Sequence, residues 1–348
     1  MKLTVTPMTV PLRAPFTAGH GTVTDRELLL IELEAADGLT GYGEAAPLES
    51  YDGVSRAEVR AALEACAPVL EQYPDVSPIS DVLARCSEAT ILPQALAAVD
   101  LALWDLAGRR THEPVWRLLG AGPPAPVPVP VNWTITSGDR SGAAHEAATA
   151  RAEGYGTVKV KVAIGDDAGR LAAVRAFGGP DLAIRIDANG AWSVEEAAVA
   201  LPALEATGIE LCEEPVSGVE AIRSLWATGQ LDYGLALDES AADPDAFARP
   251  AADAICLKIA RCGGIAGTVE TAARARAIGY DVYLASTLDG PLGIAGALHA
   301  AAVIRPARAC GLATLGLFAD RPDPLPPARG SIVVPDGPGL GEGLRDWY

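Results

Sequence analysis

The pattern of apolar and polar positions changes twice along the chain. Residues 1–44 are rich in β-formers. Leu3-Thr4-Val5 and the stretch 27–33 read as strands, and Asp37-Gly38 is a turn signal that makes 40–44 a hairpin partner. Between the first two strands lies Thr17-Ala18-Gly19-His20-Gly21-Thr22, small, polar and glycine-flanked, which suits a loop that closes over a site. Residues 55–119 switch to helical spacing. Ser55 caps a helix with Val59, Leu63, Cys66 and Leu70 on one face, and a second helix over 93–108 turns Ala95, Val99, Leu103 and Leu106 inward. Strands followed by helices make residues 1–120 an α+β domain. The Pro- and Gly-rich run 120–130 ends it.

Beyond that boundary, short apolar runs alternate with helical segments. Five of the runs end in charge: Val158-Lys159-Val160-Lys161-Val162, Ile184-Arg185-Ile186-Asp187, Ile209-Glu210-Leu211-Cys212-Glu213, Leu235-Ala236-Leu237-Asp238 and Ala254-Ile255-Cys256-Leu257-Lys258. Lys161, Asp187, Glu213, Asp238 and Lys258 recur at intervals of 26, 26, 25 and 20 residues, the length of a strand, a helix and two short loops. A strand over 127–135 precedes them, with Pro128 and Pro130 counting against a central position. Strands at 282–286 and 309–312 follow. Helices are expected between the strands, including one over 243–252, and Ser193 with Glu196 forms a capping box. The fold class is therefore α/β: a modified TIM barrel, (β/α)7β, over 121–318, with an N-terminal α+β capping domain over 1–120. Residues 319–348 are expected to pack back on the capping domain.

Composition narrows the partners. The 348 residues carry a net charge of −18, which argues against nucleic acid or an anionic membrane. Prolines at 7, 11 and 15 break the N-terminal stretch, and no run approaches the roughly 18 apolar residues of a membrane helix, so a cytoplasmic location is expected. Six cysteines lie far apart with no CxxC pair and read as small buried hydrophobes in a reducing compartment.

The strand C-termini of such a barrel gather on one rim, where chemistry sits. Asp187, Glu213 and Asp238 come from three consecutive strands about 4.8 Å apart, so their carboxylates repel unless a cation sits among them. All-oxygen ligands favour Mg2+, with Mn2+ as the alternative, over Zn2+. Lys161 and Lys258, on the second and sixth strands, fall on opposite sides of that metal and suit proton transfer on either face of a substrate. Lys159 points the same way as Lys161 by strand alternation and adds its charge there. A base beside a dication suits removal of a proton α to a carboxylate, the metal stabilising the enolate. A Schiff-base aldolase built on Lys258 is the rival that needs no metal.

Lys159-Val-Lys161, Asp187-Ala-Asn189, Glu213-Glu-Pro215, Asp238-Glu-Ser240, Leu257-Lys258 and Gly41-Tyr-Gly-Glu-Ala-Ala-Pro47 together resemble the muconate-lactonizing-enzyme subgroup of the enolase superfamily, over nearly the whole chain. The resemblance implies Mg2+ on Asp187, Glu213 and Asp238, and Lys161 and Lys258 as the acid/base pair. It implies Asn189 and Glu239 as groups that orient ligands and lysines. It also implies closure over a small carboxylate substrate by capping-domain segments that carry His20 and Tyr51. Cys310-Gly311-Leu-Ala-Thr-Leu-Gly-Leu-Phe318, with Ser286 and Thr287, is similar to o-succinylbenzoate synthases, which implies a dehydration in menaquinone biosynthesis. Dipeptide epimerases of the subgroup carry Asp-x-Asp near the Cys310 position; that pair is missing here, and Asp289 is the acid left to hold a substrate ammonium. N-succinylamino acid racemisation and muconate-type cycloisomerisation are further alternatives, and a homo-oligomer is left open.

Overall fold

The computed structural model describes residues 1–18, 21–75, 78–122 and 126–348. The capping domain opens with an antiparallel sheet of β1 (Lys2–Ala18), β2 (Gly21–Glu34) and β3 (Thr40–Ala45). β1 and β2 pair as far as Thr17↔Thr22 and Ala18↔Gly21, so the described residues of the stretch expected as a loop are paired strand. His20 lies outside the described residues. Then come α1 (Glu49–Asp52), α2 (Arg56–Leu70), α3 (Ile79–Ala89), α4 (Pro93–Thr111) and α5 (Val115–Leu118). Ser55 and Glu58 cap α2 reciprocally. Leu29, Ile31 and Leu33 of β2 pack with Val59 and Leu63 of α2 and Leu103 of α4. A Cβ on Gly41 or Gly43 would run into the carbonyls of Ala102 and Ala98, so these glycines let β3 lie directly on the backbone of α4.

After the boundary follow β4 (Val129–Pro130), β5 (Trp133–Ile135), α6 (Arg140–Ala152), β6 (Thr157–Lys161), α7 (Asp167–Gly178), β7 (Ala183–Asp187) and α8 (Val194–Leu204). Next are β8 (Ile209–Glu213), α9 (Val219–Trp226), β9 (Gly234–Leu237), β10 (Ala254–Leu257), α10 (Ile265–Ala277), β11 (Asp281–Leu284), α11 (Pro291–Ile304) and β12 (Ser331–Ile332). Among the described residues β5 to β11 form one parallel sheet in sequence order. Cys310 and Gly311 close it as an eighth stave: their N–H groups donate to Pro130 O and Leu284 O, 2.8 Å in each case. The result is an eight-stranded barrel of the (β/α)7β type, with 3-10 turns in place of the helix after β9. Alternation along β6 sends Val158 and Val160 into the apolar core, leaving Lys159 and Lys161 inside the barrel.

Two expected elements differ. The first barrel strand starts at Trp133, not at 127, because Pro128 and Pro130 cannot donate to a parallel ladder; β4 instead pairs antiparallel with β12. The helix expected over 243–252 is absent. Glu239–Ala242 and Pro244–Phe247 form short 3-10 turns, all that the 20-residue interval before Lys258 accommodates. The C-terminal stretch lies against the cap: Ala319 N–H donates to Pro11 O at 2.9 Å, and Leu340 N–H to Asp105 Oδ1 at 2.8 Å. Among the described residues no helix is long and apolar enough to cross a membrane.

Candidate active site

Register decides which side chains meet. β6 and β7 pair Lys161 with Asp187, and β7 and β8 pair Asp187 with Glu213. The second match depends on a slip of one residue: Ile184 faces Ile209, but Arg185 faces Leu211, so Glu210 is an extra residue in β8. Asp238 and Lys258 follow β9 and β10 directly, at the same end of the barrel.

These groups form a buried ionic lattice. Lys159 Nζ lies 2.8 Å from Asp187 Oδ2 and 2.6 Å from Glu213 Oε1. Lys161 Nζ is 2.6 Å from Asp187 Oδ2. Lys258 Nζ contacts both Asp238 oxygens, at 2.7 and 2.6 Å. Lys161 and Lys258 thus stand at the two ends of the acid row, with Lys159 bridging within it. Burial works to raise Asp187, but Lys159 and Lys161 outweigh it and hold the carboxyl low. Burial likewise opposes ionisation of Asp238, and Lys258 overcomes it. Glu213 goes the other way: burial, with Asp187 and Asp238 nearby, pushes it up against the pull of Lys159.

A ring of further contacts fixes the lattice. Asn189 sits at φ 47, a conformation asparagine tolerates, which turns its amide back over the site. Its Oδ1 accepts from Lys161 at 2.7 Å and its Nδ2 donates to Glu239 at 3.0 Å. Burial pushes Glu239 up to about 7. Glu214 turns away from Glu213 and accepts the N–H groups of Asp238 and Ser240, at 2.7 and 3.0 Å, so it shapes the turn that carries Asp238. Tyr51 reaches in from the cap, its hydroxyl 2.6 Å from Lys258 Nζ and 2.9 Å from Asp238 Oδ1.

The sequence reading missed Arg261 and Tyr283. Arg261 donates to Tyr51 at 2.8 Å and to Glu239 O at 2.7 Å, three residues after Lys258 on the same turn. Tyr283 donates to Glu213 Oε2 at 2.7 Å from inside the barrel. Strand alternation marks Tyr283 as inward-facing, but nothing in sequence names its partner.

A pocket opens over Lys159, Lys161, Asn189, Asp238 and Lys258. Phe16, Leu48 and Tyr51 of the cap form one side of it. Asn132, Thr134, Ser286, Thr287, Leu288, Gly311 and Thr314 help line the rest. Asp289, expected at the substrate, is turned away: it accepts from Thr287 at 2.7 Å and lies buried toward Arg26 of the cap. No acid lies at this far end of the pocket among the described residues.

The donors fit a hard dication. Glu213, Asp238 and Cys256 bring ligand atoms within 4.8 Å of one another, whereas the sequence points to Asp187 in place of Cys256. Asp187 is the better partner. An ammonium already bridges it to Glu213, and burial pushes the Cys256 thiol well up, leaving it protonated and a poor ligand for Mg2+.

Comparison with known proteins agrees with this geometry. Residues 1–120 match the mandelate racemase / muconate lactonizing enzyme N-terminal domain, and residues 142–347 the enolase C-terminal domain-like family. A chloromuconate cycloisomerase of Pseudomonas putida is 31% identical over 97% of this chain and 94% of its own. An N-succinyl-L-Arg/Lys racemase of Bacillus cereus is 29% identical over 84% of this chain and 81% of its own. Its structure covers 100% of this chain and 98% of its own, with a TM-score of 0.90 at 26% identity. A dipeptide epimerase of Enterococcus faecalis, solved in complex with Mg and a dipeptide, covers 98% of both chains with a TM-score of 0.86 at 25% identity. A buried acid row flanked by lysines, on a capped (β/α)7β barrel matched end to end by these relatives, makes this chain an enzyme of the enolase superfamily, in its mandelate racemase/muconate lactonizing branch.

Proposed function

We propose that the enzyme moves a proton α to the carboxylate of a small succinyl-bearing substrate, and that its reaction is racemisation of an N-succinyl amino acid. The observation that carries this reading is charge. Asp187, Glu213 and Asp238 are matched by Lys159, Lys161 and Lys258, three ammonium groups against three acids. Mg2+, held by Asp187, Glu213 and Asp238, would supply Lewis-acid stabilisation of negative charge on the substrate carboxylate. With a dication added, and with Lys161 giving up its ammonium proton to serve as the base, the site is still positive overall and selects an anion. A second carboxylate on the substrate answers that excess; a free ammonium does not.

The far end of the pocket supports the same class. Asn132, Thr134, Ser286, Thr287 and Thr314 offer neutral hydrogen-bonding groups, and Asp289 is occupied elsewhere. The resemblance to the N-succinyl-L-Arg/Lys racemase points in the same direction. Lys161 removes the α-proton on one face while Lys258 delivers one on the other, which inverts the centre. Asn189 steadies Lys161, and Tyr51 with Asp238 steadies Lys258.

Dehydration to o-succinylbenzoate is the second reading. It rests on the Cys310–Phe318 stretch, where Thr314 Oγ1 lies 2.9 Å from Ser286 Oγ at the pocket wall. That reaction needs only Lys161 as base, with Lys258 kept as a cation. Chiral chromatography of N-succinyl amino acids, run beside an o-succinylbenzoate assay with and without Mg2+, separates the two. Turnover of free dipeptides alone would sink both.

A further inference from the structure

Gly41-Tyr-Gly-Glu-Ala-Ala-Pro47 touches no reacting group in the proposed mechanism, yet the structure gives each end of it a task. With Gly41 and Gly43 flush on α4, Glu44 passes beyond the cap and meets the start of α11 in the barrel. Its Oε1 accepts the N–H of Gly290 at 2.7 Å, and the Gly293 amide also faces the carboxylate. A Cβ on Gly290 or Gly293 would press on Glu44. Ala46 and Pro47, at the other end of the motif, give their carbonyls to Arg26, each at 2.8 Å. The third Arg26 bond, from Nε at 3.2 Å, goes to Leu288 O.

Leu288 is the informative partner. It lines the substrate pocket and sits at φ 59, a left-handed conformation that costs a leucine free energy and persists only where its surroundings impose it. Arg26, Glu44 and Asp289 are 1%, 3% and 2% exposed, so water does not relax the arrangement. The Glu44 carboxyl is pushed up by burial and by Asp289 beside it, and Asp289 in turn holds Thr287 of the pocket wall.

We propose that Arg26 and Glu44 are positioning residues of the substrate pocket: anchored in the cap, they hold the Thr287–Gly290 turn in the strained shape that forms the distal wall. The cap therefore sets specificity from beneath the barrel loop as well as by covering the pocket. The kinetic consequence rests on the proposed function; the structural one does not.

Amide hydrogen exchange and steady-state kinetics on Glu44→Ala and Glu44→Gln test this. In Glu44→Ala, without substrate, exchange of the peptide spanning 286–293 should rise about tenfold, the value of one lost hydrogen bond, with β7 unchanged. KM for the succinyl-bearing substrate should rise about tenfold while kcat stays within about threefold. Glu44→Gln, which keeps an acceptor for Gly290, should restore both. Should Glu44→Ala not fold, Glu44→Asp, shorter by a methylene, takes its place with the same expectations. Unchanged exchange at 286–293, an equal rise throughout the chain, or a loss confined to kcat overturns the proposal. If wild-type enzyme turns over no succinyl-bearing substrate, the proposed function fails and the exchange measurement still decides this one.

Discussion

Tyr283 and Glu213 meet across the inside of the barrel: the phenol donates to Glu213 Oε2 over 2.7 Å, from β11 to β8. Lys159 holds the other oxygen, at 2.6 Å. The carboxylate is therefore fixed at both ends before any metal arrives. Tyr283→Phe removes one support and leaves a buried oxygen without its donor. Mg2+ affinity should fall about tenfold, the lower end for a group that orients a metal ligand. Isothermal titration with Mg2+ measures it, and circular dichroism checks the fold. An unchanged isotherm removes Tyr283 from the support of Glu213.

Lys161 and Lys258 approach the pocket from opposite ends of the acid row, so their loss should not look alike. Turnover falls by about 10²- to 10⁴-fold in Lys161→Ala and in Lys258→Ala. In D2O, each variant should still exchange the α-proton of one enantiomer, and the surviving enantiomer should differ between the two. Proton NMR at the α-carbon reads this directly. Normal exchange of both enantiomers in both variants would reduce the lattice to a structural one.

His299 is fully buried in α11 and is bonded on both ring nitrogens. Nδ1 accepts the N–H of Trp116 at 3.2 Å, which leaves Nε2–H to donate to Leu340 O at 3.2 Å. Burial lowers its pKa from 6.5 to about 4. As pH falls below 6.5 the unfolded chain takes up a proton that the folded chain refuses until about 4. Stability therefore drops between these values by roughly 3 kcal/mol and then levels. Thermal unfolding at pH 7 and pH 4.5 should show that loss in wild type and a smaller one in His299→Gln. Equal losses would assign the acid sensitivity to other groups.

Gly43 lies where β3 rests on the backbone of α4. Gly43→Ala should cost about 1–3 kcal/mol, because the neighbour is a backbone carbonyl in a packed helix and cannot swing aside. A melting temperature equal to that of wild type would mean that sheet and helix can part without penalty.

The order of charged residues along the chain already carried much of the site. Five strand ends spaced by one βα unit place Lys161, Asp187, Glu213, Asp238 and Lys258 on one rim, because a barrel has only one end at which its strands finish. The same spacing predicts the fold class, and Ser55 and Ser193 announce their helices through local capping. These are short-range regularities of backbone geometry, and sequence records them directly.

Contacts across the barrel and between the two domains were decided only by the tertiary structure. Periodicity gives the side of its own strand on which a residue lies, but not what it meets on another. The extra residue at Glu210 moves the β7–β8 register by one and sets Asp187 opposite Glu213 rather than opposite Cys212. Asp289 was the acid left to hold a substrate ammonium once the Asp-x-Asp pair was missing, yet its carboxyl is turned toward Thr287 and the cap. Tyr283, Arg261 and Arg26 gain their partners from chain segments 70, 210 and 262 residues away. Such pairings follow from how the sheet closes and how the cap lands on it, and packing over those distances leaves no local trace in the sequence.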